Sequence, residues 1–171
     1  LGYFIDYENV TLKKKVKQIY NARKIRAQKM VDLLNQQNID ISFEEVRELA
    51  GDDYIGRPHI ANLMVKKGYI NKMGEAFTDQ YIGNGGKAYV KKYKISPEEA
   101  IELILKSGGI PVLAHPIFIN HGKPLREEDI KKLKENGLKG IEVYHSKHNR
   151  KNSKYYKEVA ENLELVITGG S

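Results

Sequence analysis

The fold is decided by the stretch Pro111-Val112-Leu113-Ala114-His115-Pro116, an apolar run that ends in a histidine and is stopped by proline. Because the run lacks the alternation of a half-exposed strand, it predicts a parallel strand that is covered on both faces. Two later segments, 140–144 and 163–167, have the same design, and helical patterns separate them. The C-terminal part of the chain therefore predicts a β-α-β-α-β unit.

Polar residues follow each of these predicted strands. His115 and His145 come at the ends of neighbouring strands, and Ser171 follows the third strand. Ligands bind at the carboxyl ends of the strands in α/β folds, so we expect the two imidazoles to converge there. A neutral imidazole in that place can bind a divalent metal or act as acid and base. The alternative for His115 is a hydrogen-bonded histidine in the core or at its rim.

Composition excludes several classes of protein. With 171 residues, 40% hydrophobic and 30% charged, the chain has the composition of an ordinary globular protein. It has no cysteine, which excludes a disulfide framework, a cysteine-ligated zinc site and thiol catalysis. No apolar run is long enough to span a bilayer and no signal-peptide pattern is present, so the expected location is the cytoplasm.

The net charge of +7, from 29 Lys and Arg against 22 Asp and Glu, favours an anionic partner. A phosphorylated small molecule and a nucleic acid both fit this charge. The simpler interpretation of most of these lysines is that they keep helix faces solvated.

Helical patterns fill the N-terminal half. Apolar residues recur at helical spacing from 12 to 36, a second helix begins at the capping-box pair Ser42 and Glu45, and a third begins at Pro58. A shorter fourth pattern covers 71–81.

These patterns predict a division into two parts. Residues 12–90 are interpreted as an all-helical insertion subdomain. Residues 1–11 and 91–171 are interpreted as the α/β domain that carries it. The fold class is therefore α/β with a helical insertion.

An anion site is predicted at the start of the third helix. With Pro58 at the first helical position, the backbone N–H groups and the positive end of the helix dipole point the same way as Arg57 and His59. Arg23 and Arg26, one turn apart on the first long helix, could reach the same anion. The alternatives are an exposed Arg57 with His59 packed under its helix, and a solvated face for the two arginines.

The glycine-rich loop 83–87 could form a backbone nest for an anion, with Lys87 beside it. It is not a P-loop, because Tyr81 replaces the first glycine of that motif and Ala88 replaces its Ser or Thr. A plain surface turn is the alternative. His121, in a loop, is given no role.

Six short sequence motifs are spread over almost the whole chain, and their order along the chain is informative. They are Leu1-Gly2-Tyr3, Gly56-Arg57-Pro58-His59-Ile60-Ala61, Gly85-Gly86-Lys87-Ala88-Tyr89-Val90, Val112-Leu113-Ala114-His115-Pro116, Glu142-Val143-Tyr144-His145 and Thr168-Gly169-Gly170-Ser171. In this order they resemble the PHP (polymerase and histidinol phosphatase) family, in its branch of stand-alone metal-dependent phosphoesterases that act on nucleotides and RNA.

The resemblance implies a hydrolase with a partial (β/α)7 barrel, a helical insertion and a centre of about two or three metal ions. Manganese, iron, zinc and magnesium all suit its ligands. The expected substrates are nucleotide phosphoesters, such as 3′,5′-bisphosphates, or RNA 5′ ends. His115 corresponds to a metal ligand. Arg57, His59 and Lys87 fall near the substrate, and His145 could also assist the leaving group.

The chain also departs from the family pattern. The family's first His-x-His strand, the ligands that follow it and its final Asp-x-His are not in this sequence. We therefore expect a fragment that is inactive by itself and that self-associates through open sheet edges or covers them with its helices. The alternative function is a non-catalytic, basic helical module that binds nucleic acid. Convergence of His115 and His145 with Arg57 and His59 would favour the enzyme.

Overall fold

The computed structural model describes residues 1–51, 55–120 and 123–170. Ser171, expected after the third parallel strand, and His121, expected in a loop, lie outside these ranges. Within the described ranges, none of the helices combines the length and the apolar character that a bilayer crossing needs.

Helices and strands alternate in the C-terminal part, whereas the regular elements of residues 10–51 and 55–76 are all helices. The helices are α1 Val10–Asn35, α2 Phe43–Ala50, α3 Arg57–Lys66, α4 Met73–Ala76, α5 Pro97–Lys106, α6 Glu127–Glu135 and α7 Arg150–Asn162. The strands are β1 Gly2–Tyr3, β2 Ile110–Leu113, β3 Gly140–Tyr144 and β4 Val166–Gly169. A short 3-10 helix, Pro116–Phe118, follows β2.

The chain divides into two compact units. One consists of Leu1–Lys14 and Ile95–Ser171, and the other of Lys15–Lys94. The first contains the sheet and is called the sheet unit below. The second is called the helical unit.

A four-stranded sheet in the order β1-β2-β3-β4 forms the sheet unit. Strands β2, β3 and β4 run parallel, as the sequence predicts, and β1 pairs with β2 in the antiparallel direction. The first four residues of β3 are buried, because its neighbours cover both sides and helices lie against the sheet. The carboxyl ends of β2 and β3 are therefore fixed side by side.

The last strand begins later than predicted. The sequence pattern placed it at 163–167, but β4 covers Val166–Gly169. Leu163 and Leu165 are buried in the core at the end of α7 instead, where Glu164 takes a positive φ of 48° and the Leu165 N–H donates to Ala160 O. The apolar run is a helix end that continues into a strand, so part of its hydrophobicity serves helix packing.

In the helical unit, buried aliphatic side chains of α1, α2 and α3 form one core. The predicted capping box is present, since Glu45 N–H donates to Ser42 Oγ and Ser42 N–H to Glu45 Oε2. The predicted helix at 71–81 is wrong in length, because α4 stops at Ala76. Thr78 O accepts the N–H groups of two later residues, which closes a turn in place of the helix.

The first half of α1 lies outside the core. Its buried residues begin only at Ala27, whereas Val16 is 54% exposed and Ile25 is 57% exposed. The helix is predicted correctly, and its apolar positions before Ala27 are at most half-buried. This part of α1 presents mainly polar and basic side chains to its surroundings.

Candidate functional site

Two histidines meet at the carboxyl ends of the parallel strands. The ring centroids of His115, just after β2, and His145, directly after β3, are 6.0 Å apart. Phe118 packs edge-on against both rings, at 5.7 Å from His115 and 5.8 Å from His145. The predicted convergence of the two imidazoles is confirmed, and parallel pairing of β2 and β3 is its cause.

His115 is held in an unusual backbone conformation. Its φ is 31° and its ψ is 58°, in the left-handed region that few non-glycine residues adopt. Its N–H donates to Glu142 Oε2 over 2.7 Å. Such strain persists only where the surroundings fix it, and it clusters at functional sites.

Glu142 holds this backbone conformation through the hydrogen bond that it accepts from His115. No role was assigned to Glu142 from the sequence. The side chain lies in the middle of β3 and is only 4% exposed. A Cβ atom on Gly170 would collide with its carboxylate, so a larger residue there would displace the Glu142 side chain. An acidic residue inside an otherwise buried strand is the signal that could have identified it, because a buried carboxylate needs a hydrogen-bonded partner.

Replacing Glu142 by alanine should lower the free energy of unfolding by about 1–3 kcal/mol, because it removes the acceptor of the His115 N–H and leaves that group without its bond. Urea unfolding of the chain measures the loss. Glu135→Ala, at an exposed position at the end of α6, is the matched control and should change the stability by less than about 0.5 kcal/mol. Equal losses in the two variants would contradict the assigned role of Glu142.

His145 has a defined tautomer when it is neutral. Its Nδ1 accepts the backbone N–H of Lys147 over 3.0 Å. The proton of the neutral ring therefore lies on Nε2, which can donate a hydrogen bond.

His148 extends the cluster. Its ring lies 5.5 Å from that of His145 and 5.3 Å from that of Tyr156. Its Nδ1 is 2.9 Å from Val143 O and must donate to that carbonyl, which leaves Nε2 as an acceptor. Nε2 is buried and has no hydrogen-bond partner among the described residues. Burial raises the pKa of the neighbouring Tyr156 phenol, which therefore stays neutral.

The described residues do not complete a metal centre. Within 1–51, 55–120 and 123–170, no group of three or more His, Cys, Asp or Glu side chains could hold a metal ion. His115 offers one imidazole from the strand end, whereas Glu142 is committed to a backbone N–H. The side chains present are thus too few for the multinuclear centre that the family resemblance implies.

A basic pocket lies within the helical unit. Its volume is about 340 Å³, and it is lined by the start of α3 and one face of α1. The positively charged residues of its lining are Arg23, Arg26, Arg57 and Lys92. The described lining contains no acidic residue, so the pocket is suited to an anion. Arg23 and Arg57 both line this pocket, whereas their contact with an anion stays a prediction.

Arg57 is fixed by three contacts. One of its terminal nitrogens, Nη1, donates to Ile82 O over 3.1 Å and to Asn84 Oδ1 over 3.2 Å. Its guanidinium also lies 5.5 Å from the centre of the Phe77 ring. A guanidinium held in this way loses little side-chain entropy when an anion binds.

Two further cations line the pocket, and of these Lys92 was not assigned from the sequence. Arg26 donates from Nε to Val90 O over 2.7 Å, and Lys92 lies two residues further along the same segment. The only sequence signal was the spacing of Arg23 and Arg26 by one helical turn. Residues 90–92 pack against this face of α1, and no local sequence pattern predicts that contact.

Two backbone N–H groups at the start of α3 are used within the helix start itself. His59 Nδ1 accepts the Gly56 N–H over 3.2 Å, and the His59 N–H itself donates to Gly56 O. Pro58 has no N–H to offer. His59 acts as a cap and is not among the pocket lining, so the cradle is built from side chains.

The nest at 83–87 is not formed either. The N–H groups of Gly83, Gly86 and Lys87 donate to Thr78 O, Gly83 O and Asp79 O, which is the plain-turn alternative. The Lys87 side chain is exposed and lies outside the pocket lining. The loop instead supports Arg57 through Ile82 and Asn84.

Known proteins resemble this chain in sequence. No protein-family model matches it. It is 29% identical over 172 residues to the 3′,5′-nucleoside bisphosphate phosphatase of Chromobacterium violaceum, covering 100% of this chain and 60% of that protein. It is 35% identical over 98 residues to the 5′-3′ exoribonuclease of Haemophilus influenzae, covering 57% of this chain and 35% of that protein. The chain thus spans between about a third and three fifths of the length of these relatives.

A solved structure resembles it in fold. The crystal structure of a protein from Bifidobacterium adolescentis, assigned as a metal-dependent phosphoesterase, superimposes with a TM-score of 0.78 and 27% sequence identity. The match covers 98% of this chain and 59% of that protein. Together these matches confirm the resemblance of the chain to the metal-dependent phosphoesterases of the PHP family.

Proposed function

We propose that the protein is a metal-dependent phosphoesterase that hydrolyses phosphoester bonds of nucleotides, such as 3′,5′-bisphosphates, or of RNA 5′ ends. The observation that carries the proposal is the pairing of His115 and His145 at the carboxyl ends of β2 and β3. The named activities of the relatives support the same reaction class. A non-catalytic nucleic-acid-binding module gives these two histidines no purpose.

The sheet unit would supply the chemical groups. We assign His115 the role of a metal ligand. His145 would assist the leaving group, because Nε2 of its neutral ring carries a proton and can donate a hydrogen bond to the leaving oxygen. The buried Nε2 of His148 stands beside this pair as a further acceptor.

The helical unit would bind phosphate. Arg57 and Arg23 are proposed as its principal contacts, since both line the basic pocket, whose described lining has no acidic residue, and Arg57 is already held in place. Guanidinium groups match the geometry of phosphate oxygens. His59 and Lys87 are proposed as substrate-binding residues on the family resemblance alone.

The metal ions proposed are manganese, iron, zinc or magnesium. The described residues hold no group of three ligands, and it is the family resemblance on which the proposal places the remaining ligands outside this sequence. The 171-residue chain should then be inactive by itself. In the same proposal the sheet unit is part of a (β/α)7 barrel, and the helical unit is an insertion in it.

Hydrolysis tests this function, measured as phosphate released from a bisphosphate or as mononucleotide released from RNA. The natural protein that contains this sequence is treated with a chelator, supplied with Mn²⁺, and given a nucleoside 3′,5′-bisphosphate or a 5′-phosphorylated RNA. We expect hydrolysis of at least one substrate only after metal is restored, and none by the 171-residue chain alone. Natural protein that stays inert with every proposed metal would contradict the proposal.

A further inference from the structure

The net positive charge of the chain comes from two stretches of the helical unit. Residues 15–31 and 80–94 contain ten of the 29 Lys and Arg and none of the 22 Asp and Glu. The remaining residues carry 19 cations against 22 acids. Solubility alone does not require this separation, because dispersed charges of both signs serve it equally well.

These two stretches lie beside each other. Arg26 of α1 binds Val90 O, and its guanidinium lies 5.7 Å from the centre of the Tyr89 ring. Nearer the start of the helix, Lys15 Nζ donates to Tyr93 Oη over 3.2 Å. The segment 89–93 therefore runs antiparallel along α1. Eleven residues of helix separate the two contacts on α1, a length of about 16 Å.

Together these contacts form a surface of lysines with one tyrosine. We call this surface the basic strip, and it consists of Lys15, Lys91, Lys92, Tyr93 and Lys94. The last four are exposed, with Tyr93 at 38%. Lys92 also lines the basic pocket, so the strip is continuous with it.

We propose that the basic strip binds the backbone of a single-stranded polynucleotide. A single phosphate group would fill only part of the surface, whereas a strand offers successive phosphates along about 16 Å of helix. The Tyr93 ring adds a face on which a base can stack. The proposal rests on the proposed function and deepens it, because it selects a strand over a mononucleotide as the substrate.

An acidic protein segment fits the strip less well. Exposed aromatic rings among cations match nucleic acids, in which each phosphate is joined to a base with a π face. The charged patch has no acidic residue in either stretch that could pair with cations of a protein partner. The polynucleotide is therefore the occupant that the charges and the ring favour.

Binding of a fluorescent oligonucleotide of about 12 nucleotides, as RNA and as DNA, tests the inference. The 171-residue chain is titrated in the presence of a chelator, so that no hydrolysis is needed. The strip variant combines Lys15→Gln, Lys91→Gln and Lys94→Gln. The control combines Lys131→Gln, Lys132→Gln and Lys151→Gln, which removes the same charge at exposed positions of the sheet unit.

The strip variant should bind at least about tenfold more weakly at low salt, and the slope of log K against log salt should fall by about 2, since each lost phosphate contact removes about 0.7. The control should keep the original slope. Equal weakening of both variants, or no binding by the original chain, would overturn the inference. Hydrolysis of a mononucleotide bisphosphate by the unchanged natural protein is measured in a separate assay. Loss of that hydrolysis would contradict the enzymatic function, whereas loss of oligonucleotide binding would contradict the role of the basic strip.

Discussion

Replacing His115 by asparagine should lower the turnover of the natural protein by at least about 1,000-fold. Metal ions contribute several kcal/mol to transition-state stabilisation, and each 1.4 kcal/mol is about tenfold in rate. Asparagine is the informative substitution because it tolerates the left-handed backbone that His115 adopts, with a φ of 31°. The variant therefore removes the imidazole and leaves the local conformation intact.

The control for this variant is Ile119→Ala, an exposed position in the same loop. It should keep turnover within about threefold, since its side chain makes no contact that the proposed chemistry uses. Urea unfolding of both variants checks that they are folded. If folded His115→Asn protein retains turnover, His115 is not a metal ligand of the active site.

The second large effect is expected for Gly83→Ala, which should lower the free energy of unfolding by about 3–5 kcal/mol. An added Cβ would lie 2.5 Å from Thr78 O and 2.6 Å from Phe77 O, both of them backbone atoms that cannot move aside cheaply. Ile82 and Asn84, on either side, hold Arg57. We therefore also expect weaker binding of inorganic phosphate to the chain.

Gly74→Ala is the matched control, because nothing lies within 4 Å of its added Cβ and its φ is not positive. Alanine favours the helix α4 by up to about 1 kcal/mol, so this variant should be as stable as the original chain or slightly more stable. Thermal unfolding followed by circular dichroism separates the two variants. A Gly83→Ala protein that melts with the control would show that the loop adjusts at little cost.

The pairing of the two histidines was predictable because it follows from local patterns. Each strand is a short apolar run with a stop signal, and parallel neighbours bring their carboxyl ends to one edge. The helix starts at Ser42 and Ser96 were equally predictable, since a capping box is encoded within four residues.

The support of the site was not predictable from such patterns. Glu142 serves a backbone N–H that is 27 residues away in sequence, and Arg26 is bound by a carbonyl 64 residues away. His59 was assigned to substrate, but its Nδ1 caps its own helix, a choice that depends on side-chain rotation. Contacts between distant residues are set by tertiary packing, and no periodicity in the sequence records them.

The most direct test of the account is the metal content of the natural protein after dialysis against Mn²⁺. We predict about two or three ions per chain, as in other phosphoesterases with paired metals, and at least one fewer in folded His115→Asn. A natural protein that holds no metal, or a variant with unchanged metal content, would contradict the assignment of a metal centre at the end of β2.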